Sequence, residues 1–154
     1  MDYPIKVFEI KGDGNTAHIK LKINEIYGFP DEESFRGGYD ICCDLEIVCG
    51  NYRVRSGNYI SSTGAMKAFY NELLTCYKSL NGEATYKVYC PENDFVFNVM
   101  FNQGSVKVIG RYQDDLIIKN ILSFEFKSDQ SYFAEVLNDL KKVIILTYNE
   151  NFKL

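Results

Sequence analysis

Leu122-Ser123-Phe124-Glu125-Phe126-Lys127-Ser128-Asp129-Gln130-Ser131-Tyr132 is the stretch that decides the fold. Leu122, Phe124 and Phe126 alternate with Ser123, Glu125 and Lys127, the period of two that marks a half-buried strand. Ser128 and Asp129 are both good helix N-caps. Beyond them the apolar spacing changes to three and four, at Phe133, Val136, Leu137, Leu140 and Ile144, one stripe of an amphipathic helix over about 129–146. Lys141-Lys142 fall in its C-terminal half, where positive charge suits the helix dipole. The same layout occurs earlier. A strand over 52–59, interrupted at Ser56-Gly57, leads to Ser61-Ser62. Met66, Phe69, Tyr70, Leu73, Leu74, Tyr77 and Leu80 then describe a helix over about 62–80, with Asn81-Gly82 as its stop. Two strand-then-helix halves hint at a duplication, although their side-by-side identity is poor.

Working outward, residues 3–10 alternate weakly, with Tyr3, Ile5 and Val7 on one side. Gly12-Asp13-Gly14-Asn15 is a strong turn signal. In 16–27, Ile19, Leu21 and Ile23 oppose His18, Lys20, Lys22 and Asn24. The phase slips at Glu25-Ile26-Tyr27, the mark of a bulge or a strand end. A loop over 28–38 carries Pro30, the acidic run Asp31-Glu32-Glu33 and Gly37-Gly38. In 39–49, Tyr39, Ile41, Cys43, Leu45, Ile47 and Cys49 share a face, with Asp40, Cys42, Asp44 and Glu46 opposite, which implies one wet face. Residues 83–90, 95–102, 105–113 and 119–127 read as four further strands. Short turns between them require antiparallel pairing. The expected fold is α+β: a curved, mostly antiparallel sheet or sandwich of about eight strands, with two amphipathic helices packed on its apolar faces.

The chain has 154 residues, which suits a single domain over 1–154 with a frayed tail over 147–154. Seventeen basic against twenty-one acidic residues give a net charge of −4. Polyanion binding needs clustered Lys and Arg, so the sign argues against nucleic acid as main ligand and suits a basic protein partner. A mild acidic excess also simply favours solubility. Tyr52-Arg53-Val54-Arg55 is a weak candidate for aromatic-plus-basic binding of single strands. No apolar run approaches the roughly 20 residues of a spanning helix, and no secretory signal is visible at Met1-Asp2-Tyr3-Pro4. Five cysteines, at 42, 43, 49, 76 and 90, cannot all pair, which points to free thiols in a reducing cytoplasm. Vicinal Cys42 and Cys43 on a strand point to opposite faces and read as ordinary strand residues.

The residues that usually carry catalysis do not form a recognisable constellation. His18 is the one histidine and alternates with Lys20 and Lys22, which makes it a surface residue of its strand. There is no zinc motif, phosphate-cradling loop or nucleophile elbow. The reading assigns no catalytic residue, cofactor or metal. Two other functions compete. The 12 Tyr and 11 Phe could line a cavity for a small molecule or lipid, or simply form the core. Carboxylates at Asp40, Asp44 and Glu46, or Asp114-Asp115, could serve a hydrolase that needs no histidine, or be solvated strand and loop acids.

The second half resembles the WapI-type immunity proteins of bacterial polymorphic-toxin systems. The resemblance lies in Leu80-Asn81-Gly82-Glu83-Ala84, in Gly104-Ser105-Val106-Lys107-Val108-Ile109-Gly110 and in the 122–132 stretch. Gly37-Gly38-Tyr39-Asp40 is also similar, so it covers roughly 38–146, and 1–37 show little matching pattern. The resemblance implies a small cytoplasmic protein that binds and blocks a cognate toxin domain stoichiometrically, with no catalysis; charge and the lack of a spanning run add the expectation of no nucleic-acid or membrane partner. Many such toxins are nucleases, whose basic clefts an acidic partner can mimic nucleic acid to enter. From charge and expected exposure, the candidate contacts are Asp31, Glu32, Glu33, Asp40, Asp44 and Glu46.

Overall fold

The alternating stretches form eight strands in two antiparallel four-stranded meanders. A computed structural model describes residues 2–88, 94–115 and 117–148. The first sheet has the order β1 (Ile5–Lys11), β2 (Ala17–Ile26), β3 (Asp40–Cys49), β4 (Tyr52–Ser62). Helix α1 (Thr63–Ser79) leads to the second sheet, β5 (Asn81–Lys87), β6 (Asp94–Asn102), β7 (Ser105–Gln113), β8 (Ile121–Asp129), and α2 (Phe133–Tyr148) follows. Each sheet is open, and the fold is α+β as expected. Residues 89 and 90 of the expected 83–90 strand, Cys90 among them, and 149–154 of the expected frayed tail lie outside the described residues.

Ser62 caps α1, its Oγ accepting from the Ala65 N–H at 3.1 Å. The helix ends differently from expectation. Leu80 takes the left-handed position at φ 62°, and Asn81-Gly82 already belong to β5. The second cap is Asp129, whose carboxylate accepts from the Ser131 N–H at 2.9 Å and opens a 3-10 turn before α2. Ser128 remains in β8, where its hydroxyl donates to the Lys11 carbonyl at 2.5 Å and ties the second sheet to the first. Gln103 and Gly104 both have positive φ, 52° and 88°, the two-residue turn whose twist matches the hairpin of β6 and β7.

Bulges account for the places where alternation slips. Between β2 and β3 the register shifts from Ile23 to Glu25, so Asn24 is the extra residue, immediately before the slip read at Glu25-Ile26-Tyr27. Between β3 and β4 it shifts at Asp44, opposite Gly57 and Asn58. A third bulge, between Lys6 and Phe8, corrects the reading of β1. Tyr3, Ile5 and Val7 were expected on one face. Ile5 packs against the core and Val7 is fully buried, but the extra residue reverses the phase beyond it, so Phe8 and Ile10 are fully buried too; Tyr3 precedes β1 and is exposed.

The core joins both sheets. Phe8 of β1 lies edge-on to Tyr86 of β5 and Phe97 of β6, and Phe69 of α1 completes the group. Tyr59 of β4 meets Phe95 of β6. These aromatics pack against one another as core. Burial pushes the Tyr59 and Tyr86 hydroxyls up, and Tyr86 and Ser61 satisfy each other by a hydrogen bond. The α2 stripe Phe133, Val136, Leu137, Leu140 and Ile144 is buried. α2 rests on β1, where Lys6 donates to Glu135 at 2.9 Å and lies 3.2 Å from Asp139. The Glu135 hydrogen bond raises the Lys6 ammonium, and Lys6 in turn lowers the Glu135 carboxyl. Cys42, Cys43, Cys49 and Cys76 are free thiols, and Cys42 and Cys43 lie on opposite faces of β3.

Candidate partner-binding surface

Because β2 and β3 alternate in phase, their polar side chains share the outer face of the first sheet. The register sets Lys20 opposite Glu46, Lys22 opposite Asp44, and Glu46 opposite Arg55 of β4. Cross-strand pairs of opposite charge stabilise a sheet by roughly 0.2–1 kcal/mol each. The face is therefore a ladder of alternating charge and not a uniformly acidic one. A shallow cleft of about 370 Å³ runs across it, lined by Lys20, Lys22, Asp44, Glu46, Arg55 and Gly57 among others.

Glu46 is the hub of the ladder. One carboxylate oxygen accepts from His18 Nε2 at 2.7 Å, the other from Arg55 Nε at 3.1 Å. The His18 hydrogen bond, helped by Arg55, holds the Glu46 carboxyl below its ordinary value against the opposing effect of burial. The folded pKa being the lower one, this contribution to stability is present above the unfolded value of about 4.3 and is lost as pH falls through the folded value. The Glu46→Gln variant should therefore be less stable than the parent at pH 7, and the gap should close between about pH 5 and pH 3. Thermal unfolding of both proteins across that range checks it; a gap independent of pH would reject the role given to Glu46.

Asp44 is exposed and accepts from Asn24 Nδ2 at 2.8 Å. Asp40, at the start of β3, accepts from Ser34 Oγ at 2.6 Å and Arg36 at 2.9 Å. These contacts knit the β2–β3 loop to its strand. The loop is further held where Tyr39 donates through its hydroxyl to the Pro30 carbonyl and its N–H to Thr63 Oγ1, at 2.9 and 2.8 Å. Gly37 lies against the first turn of α1, its carbonyl accepting from the Gly64 N–H at 3.1 Å. The loop thus presents Asp31, Glu32 and Glu33 to solvent from a fixed base.

The six candidate acids fall into two sets. Asp31, Glu32 and Glu33 project from the loop, while Asp40, Asp44 and Glu46 run down β3 and already hold internal partners. Sequence reasoning missed Ser34 and Arg36 as clamps and the His18–Glu46–Arg55 chain. The i,i+4 spacing of Arg36 and Asp40 was a visible hint of the first. The second needed the strand register. Among the described residues no group of three or more His, Cys, Asp or Glu is arranged to hold a metal ion, and no helix is long and apolar enough to cross a membrane.

No curated protein matches the chain. A chain of the CdiA-CT/CdiI toxin and immunity complex from Enterobacter cloacae is similar in structure, at 14% identity and a TM-score of 0.45, over 88% of this chain and 99% of that one. The model of the Immunity protein WapI-like family matches residues 9–146. That span takes in the end of β1 and all of β2, beyond the 38–146 of the resemblance seen in sequence, and reaches well into α2. β2 to β8 and α1 lie wholly within it, with β1 and α2 matched in part, and the chain belongs to the WapI-like immunity protein family.

Proposed function

We propose that this chain is a cytoplasmic immunity protein that binds a cognate toxin domain and neutralises it by covering its surface, with no chemistry of its own. The observation that carries the reading is the family match across residues 9–146. The exposed acids of the β2–β3 loop support a basic surface on the toxin, such as a nuclease cleft. In this reading Asp31, Glu32 and Glu33 steer the encounter, and Asp40, Asp44 and Glu46 extend the acidic side of the contact. Charged groups at a rim act mainly on association rate and its salt dependence.

Co-expression with the toxin domain encoded by the adjacent upstream gene tests this. Growth should be rescued and a stoichiometric complex isolated; toxicity without rescue or complex would exclude that pair. In the purified complex, reversing Asp31, Glu32 and Glu33 to Lys should slow association about tenfold at low salt and flatten its salt dependence. Association unchanged after reversal of all six acids would reject the site.

A further inference from the structure

The corner where β4 begins faces the loop that precedes β8. A cleft of about 400 Å³ lies between them, lined by Tyr52, Arg53, Val54 and Arg55 on one side and Tyr112, Asp114, Asn120 and Ile121 on the other. β4 is the outer strand of its sheet, so the backbone on its free side is open to pairing. Around this cleft the chain exposes large apolar side chains: Tyr52 at 71%, Ile121 at 58%, and, on the loop between Asp114 and Asn120, Ile117 at 91% and Ile118 at 57%.

The isoleucines are held in place. Gln113 Nε2 donates to the carbonyls of Asp115 and Ile118, at 3.0 and 2.9 Å. The Asp115 carboxylate accepts from the Ile117 N–H at 2.8 Å. The Asn120 N–H donates to the Ile118 carbonyl at 3.0 Å. These bonds hold Ile117 and Ile118 with their side chains facing water, an arrangement that favours burial against something else. Fixing these two residues beforehand removes much of the ordering cost of binding.

Charge selects the occupant. Arg53 and Arg55 stand two residues apart on the outer face of β4. A second copy pairing antiparallel about Val54 would set Arg53 against Arg55 in both directions, like charges directly opposite. A partner carrying carboxylates beside an apolar protrusion meets Arg53 favourably, while Arg55 is already paired with Glu46. We infer that Tyr52, Ile117, Ile118 and Ile121, flanked by Arg53, form a second, apolar anchor for the toxin domain, whose matching surface is an apolar knob with acidic residues at its side. This rests on the proposed function. The ten residues of β3 separate the anchor from the acidic loop by about 30 Å, the breadth of a standard protein interface. The acids then govern arrival and the anchor governs departure.

The test is binding of the purified cognate toxin domain by the full chain and by Ile117→Ser/Ile118→Ser, followed by surface-immobilised kinetics. Dissociation should speed up at least tenfold with association changed less than twofold, and Arg53→Glu should weaken binding at least fivefold. Unfolding midpoints should match the parent, because these side chains are solvent-exposed. A parent that binds while both variants dissociate at its rate would overturn the anchor and leave the functional reading intact. A parent that does not bind would overturn both. Sedimentation showing a dimer of the chain alone that Ile117→Ser/Ile118→Ser dissolves would assign the corner to self-association and overturn the anchor.

Discussion

Phe97→Ala should destabilise the protein by about 3–5 kcal/mol, the usual range for emptying a buried aromatic site. Phe97 is 1% exposed, and its ring centroid lies 5.3–5.9 Å from those of Tyr86, Phe95, Phe69 and Phe8. Those four rings come from β5, β6, α1 and β1, so the void would open where both sheets and a helix meet. Stacked and edge-on ring pairs contribute about 0.5–1.5 kcal/mol each beyond area burial. The site cannot collapse easily, because closing it requires one sheet to move towards the other. Typical domains hold only about 5–15 kcal/mol in total, so the loss would be a large share. Urea unfolding measures it, with Phe97→Leu as the milder comparison. A loss under about 1.5 kcal/mol for the alanine variant would mean that the ring cluster is not the joint between the sheets.

Gly64→Ala should lower stability by about 2–3 kcal/mol, even though alanine is the better helix former. In the helix interior that exchange would gain about 1 kcal/mol. At Gly64, however, an added Cβ would stand 2.6 Å from the Gly37 carbonyl oxygen and 2.7 Å from its carbon. Both atoms are backbone, so no side-chain rotation relieves the overlap. The β2–β3 loop would have to lift away from α1, straining the Gly64–Gly37 and Tyr39–Thr63 hydrogen bonds. Overpacking of this kind costs about 1–3 kcal/mol, to which weakened hydrogen bonds add. Hydrogen exchange separates this variant from Phe97→Ala. Protection should fall first at Tyr39 and Gly64 and little at the β6–β7 ladder. Equal loss of protection in both places would contradict a local displacement.

Most of the fold was legible because its signal is periodic. In β3 every second residue from Ile41 to Ile47 is buried, and in α2 the spacing from Phe133 to Ile144 admits only one inward face. Boundaries and phases failed where geometry overrode pattern. Val7 and Phe8 are both buried because a bulge turns β1 over, and a single bulge leaves no mark in a strand with weak alternation. Leu80 holds a left-handed position usually given to glycine, so Asn81-Gly82 looked like the stop while β5 had already begun. For the candidate surface, residue type located the acids, but their environment depends on register. Glu46 looks like any strand carboxylate until β2 and β4 bring His18 and Arg55 to it. The isoleucine corner was invisible because Ile117, Ile118 and Ile121 read as ordinary strand and loop residues until their exposure is known.

The resting of α2 on β1 has a consequence for how the chain is made. Lys6 finds Glu135 across 129 residues of sequence. On the ribosome, β1 can pair with β2 early, yet its apolar side is covered only in part, by α1 and the second sheet, until α2 has emerged. Contacts this remote also slow folding, because the connecting chain must close before they contribute. A finished surface therefore waits for α2, which follows every strand along the chain. A cell that relies on this protein for protection needs a standing stock of completed molecules, since newly started chains have no finished face to offer.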